Sequence, residues 1–333
     1  MATLGTNVVT YADWAKVVDP SGKSLKIIDM LSQNNPILEK MHVIQTNQPT
    51  SHITSLLVQK PETFLKKYNE GTQSSKALFA QNVEGLTMME TWSNIDAKMA
   101  ELNGNKGNYL LSQQQPFMAS MNEKMVETLF YGNASTTPSW INGLAVRYNS
   151  LTGTNKDQVL SAGGSGSDNA SIWLISFSEN TIAGLAPKGS DIGLKHTSWG
   201  KVVQESIVDS NTVYNTVYRD QWEWTAGLAV MDRRYAIRIC NIDVSSLIAS
   251  ATGADLISKM RSAIIRIPEK NLGSICFYMN ATVFEGLTSA SYSDLKAGGG
   301  VTTEVIGGKI KYSFMGVEIA ILDGLLNTEA AVA

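Results

Sequence analysis

An α+β fold is predicted for this chain by three observations. Residues 108–131 repeat apolar side chains at helical spacing, and residues 46–96 hold two strand-like runs around a turn-rich connection. From about 146 to 300, strand-like and helical stretches are mixed. At 333 residues the chain is long enough to bury a sizeable core, as two packed lobes or one elaborated domain.

Residues 1–45 read as an arm. After a polar start and a turn at Pro20-Ser21-Gly22, Ile27, Met30 and Leu31 form a short helical stripe. Asn35-Pro36 is expected to end that helix, because the residue before proline is driven out of the helical region. A segment this short must lie on another part of the fold or on a neighbour. In residues 46–96, "SHITSLLVQ" and "KALFAQNVEGLTMMETWSNI" flank "KPETFLKKYNEGTQSS", the pattern of a long hairpin with an irregular tip. An isolated hairpin is marginal in water, so this one needs partners. Two readings stay open: a protruding loop laid across an adjacent copy, or an ordinary domain edge.

The long helix is expected from Asn108 to Tyr131, with Phe117, Met121, Met125 and Leu129 on one face and Glu123, Lys124 and Glu127 off it. Pro116 either starts the regular part or kinks it. Gly132 is expected to close the helix in the left-handed conformation, before a polar loop and the short apolar anchor "INGL". A second helix, "ADLISKMRSAIIRI", puts Leu256, Met260, Ile264 and Ile267 near one face, with Gly253 before it and Pro268 after. The stretch "FMGVEIAILDG" is expected to form one long strand.

Composition narrows the function. Charged residues make up 17%, with Asn, Ser, Thr, Gln and Gly filling polar positions. A protein that meets many copies of itself gains from such a surface, since each charge buried at a contact must be paired or lose its hydration. The net charge of −3 argues against a dedicated nucleic-acid binder. Arg233, Arg234 and Arg238 in "MDRRYAIR" read as a solvated or ion-paired strand edge. Cys240 and Cys276, in apolar runs, read as core thiols, free in a reducing compartment. The start has no signal-peptide pattern and no run is long enough to span a bilayer, so no membrane partner is expected and synthesis in the cytoplasm is.

Motifs for chemistry fail on inspection. Gly22-Lys23-Ser24 ends like a phosphate loop, but Val17 stands where the first glycine is needed. In "AGGSGSDNAS", Ser167 and Asn169 occupy positions where a nucleophile elbow and a dinucleotide fingerprint each need glycine. That stretch is expected to be a flexible loop, with Asp168 capping the next element. His42, His52 and His196 lack metal-ligand spacing. No catalytic, cofactor-binding or metal residue is assigned, and no cofactor is expected.

"LFYGN", followed by a proline and "INGL", resembles the junction after the spine helix in major capsid proteins of tailed bacteriophages. Further on, "NASIWLISFSENTIAGLAPKGSDIGL", "WEWTAGLAVMDRRYAIRICNIDV", "CFYMNATVFEGL" and "FMGVEIAILDGLLNTEAAV" resemble, in that order, stretches of the epsilon-fifteen-like short-tailed phage capsid proteins. The resemblance implies the common tailed-phage major capsid fold. Its parts would be an N-terminal arm at 1–45, an extended hairpin loop at 46–96, a peripheral lobe with the spine helix at 97–145, a mainly axial lobe at 146–300, and a return strand at 301–333. It further implies a structural role, not an enzyme's: self-assembly into pentamers and hexamers of an icosahedral head enclosing double-stranded DNA, met non-specifically. The implied partners are a separate scaffolding protein, a portal protein and, optionally, a decoration protein, with assembly in the host cytoplasm. Covalent cross-links through Lys60, Lys66 or Lys67 are not expected, because nothing in the sequence places an asparagine and a catalytic carboxylate beside them. Glu318 stands where such relatives tend to have proline, which restores a backbone N–H and lets the last strand pair earlier. A bacterial nanocompartment shell and a soluble enzyme of unknown class are the alternatives.

Overall fold

The structure, a computed structural model, describes residues 36–102, 106–153, 155–189, 193–208, 211–248, 253–293, 301–306 and 309–333. The arm's stripe at Ile27, Met30 and Leu31, the Gly22-Lys23-Ser24 turn and the glycines at 298–300 lie outside them.

Described structure opens with α1 (Pro36–Lys40), β1 (Val43–Gln45), β2 (Ser51–Gln59) and β3 (Leu78–Asp96). Then come α2 (Ala97–Glu101), α3 (Lys106–Tyr131), α4 (Leu144–Arg147), β4 (Val159–Ser161), β5 (Asn169–Phe177) and β6 (Ile182–Ala186). The long strands β7 (Lys195–Val208) and β8 (Asn211–Val230) precede β9 (Ala236–Asp243), α5 (Val244–Ile248), α6 (Gly253–Arg266) and β10 (Ser274–Met279). The chain ends through α7 (Ala281–Ser293), β11 (Val301–Ile306), β12 (Lys309–Phe314) and β13 (Val317–Ile321). Pro36 thus starts a helix; its missing N–H falls in the first turn, where backbone donors have no intrahelical partner anyway.

The chain divides into two compact units. In the larger, which holds Pro36–Thr87, Val126–Ile192 and Ala226–Ala333, β5 is buried along its whole length, as its nearly unbroken apolar run requires. It pairs antiparallel with β10 and with β9, and β4 extends β9 in parallel. Beyond β10 lie β13, parallel, then β12 and β11, antiparallel. Trp173, Phe277 and Tyr278 from these strands are fully buried, as is Phe130 from the end of α3. In α6 the predicted face is the buried one: Leu256, Met260, Ile264 and Ile267 are all inside, whereas Ile265 faces out.

Two expectations are corrected in this unit. "FMGVEIAILDG" is not one strand: Met315 and Gly316 both have positive φ, 51° and 81°, and form a two-residue turn between β12 and β13, closing the Phe314↔Val317 pair. Nor is Gly132 left-handed, being absent from the positive-φ residues. It is required by close approach, because a Cβ there would meet the Thr128 carbonyl oxygen and, at 2.5 Å, that of Ile141. The polar loop closes on this point, with the Gly143 N–H donating to the Gly132 carbonyl at 2.8 Å.

Cys240 and Cys276 are free and buried on β9 and β10. Burial raises both thiol pKa values, that of Cys276 to about 12. Since only the thiolate reacts quickly, neither is expected to label with a thiol reagent in the native chain at about pH 8, while the denatured chain should titrate both. Native labelling as fast as denatured labelling would contradict this packing.

The smaller unit holds Met88–Met125 and Gly193–Thr225. Its core centres on Ile95, Ala100 and Tyr109, with Leu110 and Tyr218 against them. Asp96 caps α2, its carboxylate accepting from the Lys98 and Met99 N–H groups. β7 and β8 pair antiparallel over Lys195↔Glu223 to Val208↔Asn211. Pro116 lies inside α3, which continues through it. From the predicted stripe, Met121 and Met125 are buried and Phe117 stacks on Trp222, centroids 5.4 Å apart.

Candidate assembly surfaces

The hairpin is built on β2 and β3, antiparallel from Ser51↔Gly85 to Gln59↔Leu78. Its root is held by side chains. Arg147, ending α4, grips the buried Glu84 of β3 with two parallel bonds, Nη1 and Nη2 donating at 2.7 and 2.5 Å. Thr87 Oγ1 donates to the Ser139 carbonyl at 2.6 Å. On the other strand, Asn47 exchanges two hydrogen bonds with the Ile53 backbone, at 2.8 and 2.9 Å.

Beyond the root, residues 60–76 are exposed throughout. The Glu70 N–H reaches the Lys67 carbonyl at 3.3 Å with Asn69 at φ 67°, a tight turn with its left-handed residue third. Leu65 and Tyr68 are fully exposed, and Leu57, Val58 and Phe79 about half exposed or more. Lys60, Lys66 and Lys67 all lie on this loop, whose acids are Glu62 and Glu70. An apolar surface of this kind on a two-stranded ribbon lowers its free energy when another surface covers it.

In the smaller unit, alternate residues of β8 serve opposite faces. Asp220 and Trp222 meet α3, with Gln114 Nε2 donating to Asp220 at 2.8 Å and Phe117 on the Trp222 ring. His196 stacks on Trp222 at 5.0 Å, its Nε2 3.2 Å from Asp220. Arg219 and Gln221 instead meet Trp92 of β3 and Trp199 of β7, whose rings stack 6.2 Å apart and are exposed.

The C-terminal segment is strapped to the larger unit. Glu329 exchanges backbone bonds with Asn169, the Val332 N–H donates to Asn241 Oδ1 at 2.7 Å, and the Leu151 N–H donates to the Ala333 carbonyl at 2.9 Å. The Glu329 carboxylate, itself buried, accepts from Arg238 Nη2 at 2.7 Å, from Tyr131 Oη at 2.6 Å and from Ser171 Oγ. Burial, together with the Glu329 charge, holds the Tyr131 hydroxyl protonated far above its usual range. Arg238 is therefore not at a strand edge, as expected, but inside the sheet; Arg234 is the exposed member, paired with Asp232. Glu318 sits within β13, in register with Ser313 and Cys276, and its carboxylate meets Lys40 and Lys311.

The remaining residues singled out in the sequence do not converge. Gly163 and Gly166 adopt positive φ in the 162–168 loop, but β5 comes next, so Asp168 caps no helix; its carbonyl accepts from the Val244 N–H instead. His42 is exposed, and His52 Nδ1 accepts from the Asn47 N–H at 3.4 Å. Among the described residues no cluster of His, Cys, Asp and Glu is arranged to hold a metal, and no helix is long and apolar enough to cross a membrane. The sequence did not signal the Trp92–Trp199 pair, which two segments 107 residues apart bring together.

Together these features define a structural protein whose outward equipment is contact surface. Residues 19–333 match the family described as Major capsid protein GP7, and the chain belongs to it: it is a major capsid protein of phage, not an enzyme. A chain in the cryo-EM structure of bacteriophage Epsilon15 is similar at 28% identity and a TM-score of 0.80, covering 100% of this chain and 99% of that one. The bacteriophage JBD30 capsid is similar at 10% identity and a TM-score of 0.46, covering 92% and 99% of the two chains. The SrpI encapsulin complex of Synechococcus elongatus PCC 7942 is similar at 10% and 0.43, covering 66% and 91%. No curated protein matches the chain. The fold is that of phage capsid proteins, the chain self-assembles into a capsid lattice, and its place is the virion capsid.

Proposed function

We propose that copies of this chain form the pentamers and hexamers of an icosahedral head around double-stranded DNA. The observation that carries this reading is the hairpin: a side-chain-locked root and an exposed apolar tip suit a limb that reaches an adjacent copy. Contacts between unlike surfaces close into rings when the rotation closes. Individually modest contacts through arm, hairpin and lobe edges then add up by avidity. In this reading residues 1–45 are the arm, 46–96 the hairpin loop, 97–145 the peripheral lobe, 146–300 mainly the axial lobe and 301–333 the return segment. Assembly takes place in the host cytoplasm on a separate scaffolding protein, with a portal protein in the shell, a decoration protein optional and packaged DNA touched without sequence preference.

The test is expression of the full chain, alone and with a candidate scaffolding protein, followed by sizing and negative-stain microscopy. Closed shells or capsomer rings are expected. A monomer under both conditions would overturn the assembly reading. Deleting residues 1–45 should leave a soluble chain that no longer closes shells, and normal particles from that deletion would remove the arm from the argument.

A further inference from the structure

We propose that the Trp92–Trp199 face of the smaller unit is the docking site for the Leu65–Tyr68 tip of a second copy of this chain. The inference rests on the assembly reading, in which the hairpin reaches another copy, and adds the surface on which it lands.

Trp92 and Trp199 are 42% and 56% exposed, their rings 6.2 Å apart and inclined by 28°. Tryptophan carries the largest apolar area of any side chain and recurs among the residues that dominate interface energies. This pair is also held in place. The β7–β8 register shifts between Ser198 and Gly200, with Gly200 at φ 68°, so Trp199 sits on a bulge. Its Nε1 donates to Gln221 Oε1 at 3.0 Å. Arg219 lies 5.9 Å from the Trp92 ring centre while its Nε donates to Asn94 Oδ1 at 2.8 Å. Aromatic anchors fixed in advance lose little conformational entropy on binding.

The rim is negative. Gln221 Nε2 donates to Glu90 at 2.8 Å and to Glu223 at 2.6 Å, so a single amide nitrogen holds two carboxylates close together. Lys195 reaches Glu223 at 3.7 Å and is itself 67% exposed, a screened pairing. A cation delivered from outside would relieve the repulsion between the two acids. An apolar floor with a carboxylate rim rejects a phosphate backbone and fits an apolar, basic segment. The hairpin tip is such a segment: Leu65 and Tyr68 are fully exposed, and Lys66 and Lys67 lie between them. Tip and face are different surfaces, so their contact is heterologous, the kind that repeats head to tail around a ring.

The test replaces Leu65 with the photo-crosslinker benzoylphenylalanine in the full chain, assembled as for wild type, and maps the cross-linked peptides after irradiation. Cross-links between copies are expected within residues 88–94 or 197–201. Trp199→Ser, on an exposed bulge, should raise the concentration needed for assembly about tenfold or more. Replacing Glu90 and Glu223 with Gln should flatten the salt dependence of assembly. Normal particles with cross-links confined to other surfaces, or Trp199→Ser particles that form at the wild-type concentration, would overturn the docking site and leave the assembly reading standing. Failure of the wild-type chain to form particles at all would overturn both.

Discussion

Arg238→Met is expected to lower the stability of the folded chain by about 3–5 kcal/mol, the usual cost of breaking a buried ion pair by removing one partner. Domains of ordinary stability hold only about 5–15 kcal/mol, so this one change consumes much of the margin. Arg238 Nη2 donates to Glu329 at 2.7 Å, Nε to Ser171 Oγ at 3.0 Å and Nη1 to the Tyr148 carbonyl at 2.9 Å. The guanidinium carbon also lies 5.2 Å from the Trp173 ring centre. Methionine keeps much of the side-chain volume but strands the buried Glu329 carboxylate with two hydroxyls as partners. The same carboxylate anchors the C-terminal strap, so the strap should loosen first. Urea unfolding followed by tryptophan fluorescence checks the magnitude. Adding Glu329→Gln to Arg238→Met separates charge from packing: the double variant should be more stable than the single one, because the uncompensated charge is gone. A double variant no more stable than the single one would place the loss in packing, against the argument.

How much of this was legible beforehand depends on how far apart the partners lie in sequence. The stripes of α3 and α6 are local patterns, and Met121, Met125, Leu256 and Met260 are buried as their spacing requires. Apolar surroundings likewise marked Cys240 and Cys276 as buried. Arg238 was misplaced because a charge in a strand looks like an edge until its counterion is known, and Glu329 stands 91 residues away. The turn at Met315-Gly316 was hidden because methionine rarely accepts positive φ, so the strand pattern seemed to run through it. The hairpin could be read from its two strand-like runs, but its anchorage by Arg147 on Glu84 could not, since the two are 63 residues apart. The assembly surface was the least legible. A tryptophan in a strand signals burial, and Trp199 escapes it through a bulge that depends on the backbone of Gly200.

Gly132→Ala should cost about 1–3 kcal/mol, the range for forcing extra volume into a packed site, although one methyl group is all that changes. The obstacles are backbone atoms, which cannot swing aside as a flexible side chain can. The new Cβ would meet the carbonyl oxygens of Thr128 and Ile141. Relief requires moving the end of α3 away from the loop after it, which strains the bond from Gly132 N–H to the Thr128 carbonyl, 3.1 Å, and the one from Gly143 N–H to the Gly132 carbonyl, 2.8 Å. Gly71, on the exposed loop, has nothing within 4 Å of the position a Cβ would take and serves as the control: Gly71→Ala should leave stability unchanged or slightly raised. The choice of side chain then tests why glycine is needed at 132. A left-handed residue would accept asparagine better than alanine, whereas a close approach makes asparagine, the larger side chain, the worse of the two. Denaturation midpoints for Gly132→Ala and Gly132→Asn decide the matter, and an asparagine variant more stable than the alanine one would restore the left-handed explanation that the backbone geometry argues against.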